Sequence, residues 1–227
     1  MINTYQHLNM QGQPLQTVDA QGYPVGKAVC VGRNYLDHVH ELGNQVNDNP
    51  LLFMKPSTAF AHLHQPITIP TEWGECHNEL ELAFLIGKPL YKSRPEQCAP
   101  AISGLGLALD LTLRELQNQL KTQGHPWERA KAFDGSCPIS SFMPLDYQNQ
   151  TFSFSLKVNG QLRQQGDSKH MLTPVLELLS HISQCFTLMP GDVVLTGTPK
   201  GVGPLKANDM IDIDLHGHFN IKTRVAA

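Results

Sequence analysis

The stretch Glu75-Cys76-His77-Asn78-Glu79-Leu80-Glu81-Leu82-Ala83-Phe84-Leu85-Ile86 decides how this chain is read. From Glu79 the residues alternate acidic and apolar, and from Leu82 onward they are wholly apolar. That pattern predicts a strand running into the core, because successive side chains on a strand take opposite faces. Glu79 and Glu81 then share a face, with Cα atoms roughly 6.5–7 Å apart. His77 falls on the same face and Cys76 on the other. Two carboxylates so placed either repel each other or converge on a cation. The competing reading is a half-exposed edge strand with a solvated acidic face, and the spacing alone does not separate the two.

The composition around this stretch narrows the classes. The chain has 227 residues, 41% hydrophobic and 16% charged, with a formal net charge of -3. That is ordinary for a folded domain. No block of like charge points to nucleic acid. The longest apolar run, Leu82 to Ile86, is far too short to span a bilayer. The first residues carry neither a basic patch nor an apolar run, so no signal peptide is expected. The five cysteines (Cys30, Cys76, Cys98, Cys137 and Cys185) are odd in number, scattered and without a C-x-x-C, which suits reduced thiols in a cytoplasm.

Residues 1–26 are expected to form a short N-terminal segment of strands and turns, and residues 27–227 one domain. Lys27 to Gly32 predicts a strand. Arg33 to Gly43 predicts a short helix capped by Asn34, with His38 and Glu41 three apart on one face. A polar loop at 44–50 follows, which makes that helix a candidate lid. Leu51 to Lys55 and Ile67 to Pro70 predict strands. Ser93-Arg94-Pro95-Glu96 and Thr112-Leu113-Arg114-Glu115 predict capping boxes. Gly104 to Leu109 predicts a buried strand that delivers Asp110. Phe152 to Val158 and Gln161 to Arg163 predict a hairpin turned by Asn159-Gly160. Thr173-Pro174 opens a helix, and Thr196 to Pro204 is a glycine-rich loop. Many short strands among a few helices predict an α+β fold, a β-rich mixed roll or barrel, and not a doubly wound sheet.

Six segments then occur in order: C-V-G-R-N-Y-x-D-H at 30–38, L-F-M-K-P at 52–56, E-L-E-L at 79–82, A-L-D-L-T-L-R at 108–114, K-A-F-D-G-S-C-P at 131–138 and L-T-G-T-P-K-G-V-G-P at 195–204. Together they resemble the fumarylacetoacetate hydrolase family, in particular the short branch containing acylpyruvases and oxaloacetate tautomerases. The resemblance implies a metal-dependent enzyme on a mixed β-roll, usually a homodimer. It implies Glu79, Glu81 and Asp110 as metal ligands, and His38, Glu41 and Lys131 as catalytic residues. Arg33, Lys55, Arg114, Gln117 and Thr198 are the implied substrate contacts.

Three carboxylates are hard oxygen ligands, which suits Mg²⁺, Mn²⁺ or Ca²⁺ better than zinc. A zinc site on Cys76 and His77 has no paired Cys/His spacing behind it. The implied substrates are small 2-oxo acids with a second carbonyl, able to chelate a cation that acts as a Lewis acid on the enolate. Lys131 and Lys55 would add positive charge at the same oxygens, and Arg33 and Arg114 match a carboxylate. His38 with Glu41 supplies a base, for water or for a carbon acid. Acylpyruvate hydrolysis leads this reading, with oxaloacetate keto–enol tautomerisation as rival or second activity. The alternatives are an isomerase or decarboxylase of a hydroxylated dienedioate, and a metal-binding protein without turnover.

Overall fold

The computed structural model describes residue 23, residues 25–43 and residues 49–227. The turns expected within residues 1–22, and most of the loop expected at 44–50, lie outside the described residues.

The architecture is the β-rich, mixed one expected. The main sheet runs in the order Leu51–Lys55, Ala28–Gly32, Val193–Leu195, Leu80–Ile86, Ile102–Leu109, Cys137–Ile139, Phe60–His62, with Met143–Pro144 paired to Ile102–Leu109. Two of its pairings are parallel and the rest antiparallel. A second sheet orders Gln161–Asp167, Ser153–Val158, Met210–Leu215 and Phe219–Arg224. Its first hairpin turns at Asn159 (φ 52°) and Gly160 (φ 77°), both left-handed as a two-residue turn of this kind requires. A small third sheet joins Gly203–Pro204, Cys76–Asn78 and Thr112–Leu113.

The central antiparallel pair positions the site. Leu80 faces Leu109 and Glu81 faces Ala108. On one face, Leu80, Leu82, Phe84 and Ile86 join Leu105, Leu107 and Leu109 in the larger core. Ala83, Leu85 and Ala108 point the other way, into a smaller core. The pleat therefore puts Glu79, Glu81 and Asp110 on the smaller core's face, at the end of the strands. The ladder continues one step past the strand ends, with Asp110 N–H donating to the Glu79 carbonyl at 2.8 Å. Asp110 thus stands opposite Glu79 and diagonal to Glu81. The larger core is closed by the helix Val175–Cys185 through Val175, Leu178, Leu179 and Ile182, spaced as one helical face.

Several local expectations are corrected. The acidic strand is not continuous: Cys76–Asn78 belongs to the third sheet and Leu80–Ile86 to the first, with Glu79 at the joint. Ile67 makes a single bridge, to Val225, and no strand. The helix Pro95–Cys98 has Arg94 at its N-cap, where Arg94 N–H donates to Gln97 Oε1, in place of the expected Ser93 and Glu96. Thr112 lies in a strand, and its hydroxyl donates to the Asp110 carbonyl, so the helix Arg114–Gln123 starts without a side-chain cap. Asn34 caps nothing. Its amide donates to the carbonyls of Thr173 and Thr196 and its oxygen accepts from Thr173 N–H, which ties the start of the helix Leu36–Glu41 to the glycine-rich loop.

Candidate active site

Ligand oxygens of Glu79, Glu81 and Asp110 lie within 4.8 Å of one another, and all three residues are buried. They border a cavity of about 40 Å³ together with Arg33, His38, Arg114, Gln117, Lys131 and Thr198.

Each carboxylate has different company. Glu79 is held by Arg114, in close contact, and by Lys131 Nζ at 2.8 Å. Burial alone would raise its pKa, but the Lys131 and Arg114 charges outweigh burial and pull it well below the usual range. Asp110 receives Lys131 at 2.6 Å on one oxygen. Its other oxygen, Oδ1, has Lys55 Nζ at 2.8 Å as an ion pair but no well-directed hydrogen bond. Glu81 Oε2 accepts from Gly197 N–H at 2.7 Å, and among the described residues no cationic side chain lies in ion-pair reach of it. Burial first, then the charges of Asp110 and Glu79, push its pKa well above the usual range. A buried carboxylate lacking a counter-charge, beside a carboxylate oxygen lacking a directed donor, is what a bound cation would resolve. The donor set is all oxygen, so the fit is to a hard divalent ion.

Gly197 is required where it stands. Its φ is +90°, and a Cβ there would lie 2.7 Å from that of Asn34. Arg33 also adopts a left-handed backbone, φ 62°, uncommon for a residue with a side chain and placed at the rim of the cavity.

His38 borders the same cavity as the carboxylates. His38 is 5% exposed and its Nδ1 is 3.2 Å from Glu41 Oε2. Glu41 Oε1 accepts from Gly201 N–H at 2.9 Å, so the glycine-rich loop braces the pair. That hydrogen bond assigns the imidazole proton to Nδ1 and leaves Nε2 as the basic atom. Lys131, clamped between Glu79 and Asp110, has its pKa pushed up to about 12 despite burial. It is a fixed ammonium over the cavity, with the Phe53 ring 5.0 Å away.

Not every expected contact is at the cavity. Lys55 is fully buried beneath it and donates to the carbonyls of Lys131 and Ser136 and to the Ser136 hydroxyl. It pairs with Asp110 and is not among the residues lining the cavity. Thr198 lines the cavity, but its hydroxyl donates to the Leu80 carbonyl and accepts from Gln164. Gln117 accepts from Arg114 at 2.7 Å. His77 is turned away to Glu75, at 3.2 Å, and lines an adjoining groove. Burial pushes the Cys76 thiol up to about 12, far from the thiolate a zinc site needs.

Three residues at or beside the cavity escape a reading of the sequence. Gln164 bridges Asn78, Leu80 N–H, Thr198 and the Pro199 carbonyl from the neighbouring hairpin. Trp127 walls the cavity beside Phe53. Lys121 borders the cavity from the helix Arg114–Gln123; its Arg114 spacing of seven residues was the one clue available.

The family model for the fumarylacetoacetate (FAA) hydrolase C-terminal domain matches residues 27–226. The chain belongs to that family. Among curated relatives, an oxaloacetate tautomerase of Escherichia coli (strain K12) is 49% identical over 226 residues, 97% of this chain and 99% of the relative. Among solved structures, fumarylpyruvate hydrolase from Pseudomonas aeruginosa in complex with Mn²⁺ and pyruvate is 34% identical with a TM-score of 0.85, covering 90% of this chain and 91% of that one. The 2-hydroxyhepta-2,4-diene-1,7-dioate isomerase from Mycobacterium marinum is 32% identical with a TM-score of 0.78, covering 90% and 75%. The family's hydrolases, isomerases and tautomerases thus share the fold on which this chain sets its three carboxylates. No helix among the described residues is long and apolar enough to cross a membrane.

Proposed function

We propose that this protein is a divalent-metal-dependent enzyme that interconverts the keto and enol forms of oxaloacetate, with Glu79, Glu81 and Asp110 as the metal ligands and Mg²⁺ as the cation. The observation that carries this reading is His38, bordering the same cavity as the three carboxylates and held from behind by Glu41, which Gly201 N–H braces in turn. The 49% identity to an oxaloacetate tautomerase over nearly the whole chain supports the choice of reaction.

When bound, the cation supplies Lewis-acid stabilisation of enolate charge. His38 Nε2 removes a proton from the carbon between the two carbonyl groups and returns it to the enolate oxygen. Glu41 holds the ring and offsets the imidazolium charge in between. Lys131 holds a positive charge at the developing oxyanion throughout. Arg33 and Arg114 lie where a substrate carboxylate would enter.

Hydrolysis of an acylpyruvate is the second reading, favoured by the likeness to a fumarylpyruvate hydrolase. There His38 would take its proton from water. The oxygen adds to the acyl carbonyl, the carbon–carbon bond breaks, and the leaving three-carbon enolate is protonated at carbon to give pyruvate. A reducing compartment such as the cytoplasm accords with five free cysteines, four of them buried. A homodimer is the family's expectation, and residues 27–227 form its catalytic domain.

With Mg²⁺, purified protein should speed the decay of the enol absorbance of oxaloacetate and lose that activity in chelator. Acetylpyruvate should be cleaved more slowly, and a hydroxylated dienedioate left unchanged. The same preparation should sediment at the mass of two chains. Dienedioate turnover exceeding that of oxaloacetate would replace the tautomerase reading with the isomerase one, and sedimentation as one chain at micromolar concentration would refute the dimer.

A further inference from the structure

Two spaces open from one rim. The cavity over the carboxylates is about 40 Å³. The adjoining groove is about 270 Å³. Leu42, Arg114 and Lys121 border both. A substrate whose chelating end lies in the cavity can extend past that rim into the groove. Apart from Leu42 and Val202 the groove is lined by polar and charged side chains. It suits a charged tail better than an apolar acyl chain.

We propose that Lys121 is a specificity-determining residue that binds a second carboxylate, at the far end of a 2-oxo acid whose near end occupies the carboxylate-lined cavity. This rests on the functional reading above and deepens it, by assigning the residue that recognises the substrate's distal carboxylate.

Arg114, Gln117 and Lys121 stand at i, i+3 and i+7 on one face of the helix Arg114–Gln123. The first two are committed. Arg114 holds Glu79 and donates to Gln117. The Lys121 ammonium has no ion pair among the described residues, although the residue is half-buried. Burial, with the neighbouring charges of Arg33 and Arg114, pushes its pKa down. An ammonium kept half-desolvated among other cations is unfavourable until an anion joins it. The groove's own acid, Glu41, does not supply that anion, being engaged by His38 and Gly201. A substrate carboxylate reaching over the rim would. A neutral acyl tail in the same place would leave the ammonium desolvated and unpaired.

The test compares 2-oxoglutarate with 2-oxopentanoate. They share a five-carbon chain and the chelating end, and differ in the distal carboxylate. Binding is measured by calorimetry with saturating Mn²⁺, for the wild type, Lys121→Met and Lys121→Arg. The wild type should bind the diacid about 10- to 100-fold tighter, the usual range for a hydrogen bond to a charged group. Lys121→Met should lose that preference and Lys121→Arg should keep most of it. For oxaloacetate, Lys121→Met should raise KM more than it lowers kcat. Equal affinities in the wild type, no binding of either ligand, or a preference that survives in Lys121→Met would each overturn the proposal. Binding of this pair needs no turnover. A wild type that prefers the diacid yet converts no 2-oxo acid would refute the proposed reaction and leave the Lys121 assignment standing.

Discussion

Glu81→Gln should lose metal-dependent turnover, on the order of 10³-fold or more, while the fold stays intact. The size follows from the several kcal/mol that a cation contributes at a developing enolate, at one factor of ten per 1.36 kcal/mol. The fold survives because the amide is isosteric and its oxygen can still accept from Gly197 N–H. The amide NH₂ would face Asp110 and Glu79, whose like charges outweigh that of Lys131 at the carboxylate. Without metal, the variant should therefore be at least as stable as the wild type. With metal at 100 times its Kd, the wild type should gain about 2.7 kcal/mol and the variant almost nothing.

The same substitution has a pH signature in chelator. Burial and the two neighbouring carboxylates raise the Glu81 pKa above its ordinary value of 4.5. Such a group is neutral in both folded and unfolded states below 4.5, and its stabilising proton is lost as pH climbs through the raised value. Metal-free wild type therefore weakens through that window, and Glu81→Gln does not. The stability difference between them, from urea unfolding, should widen as pH rises. A difference that narrows would contradict the placement of Glu81 among uncompensated charges.

His38→Ala should bind Mg²⁺ and the unreactive diacid oxalate nearly normally, and turn over roughly 10²–10⁴-fold more slowly, the usual contribution of a general base. Binding is spared because the three carboxylates keep their own partners. Turnover falls because the imidazole is the proton acceptor, while Lys131 is an ammonium paired to Glu79 and Asp110. Unchanged turnover of every 2-oxo acid would make the His38–Glu41 pair incidental.

Much of this was legible before the fold was known. The alternation through Leu80-Glu81-Leu82 gives the strand and its faces, and the apolar run before Asp110 gives the second strand. The register was not legible, and it is the register that sets Asp110 opposite Glu79 and converts three separate acids into one cluster. The contacts of Lys55 were not legible either. A lysine ending a strand beside the family motifs reads as a pocket cation, yet its four-carbon stem reaches down to carbonyls contributed by residues 131 and 136. Asn34 and Gln164 escaped for the same reason: their partners lie far along the chain, and neither spacing nor composition encodes such contacts. The apparent capping box at Thr112 failed because tertiary pairing with Cys76–Asn78 claimed that residue for a strand.

The central claim is that Glu79, Glu81 and Asp110 hold one divalent cation under the His38–Glu41 pair. An anomalous-difference map of crystals grown with Mn²⁺ and a 2-oxo acid tests it most directly. The account predicts a single strong peak with an oxygen of each carboxylate at ~2.0–2.6 Å, the span from Mg²⁺ to Ca²⁺ distances. A peak elsewhere, or an occupied site that leaves Glu81 uncoordinated, would contradict it.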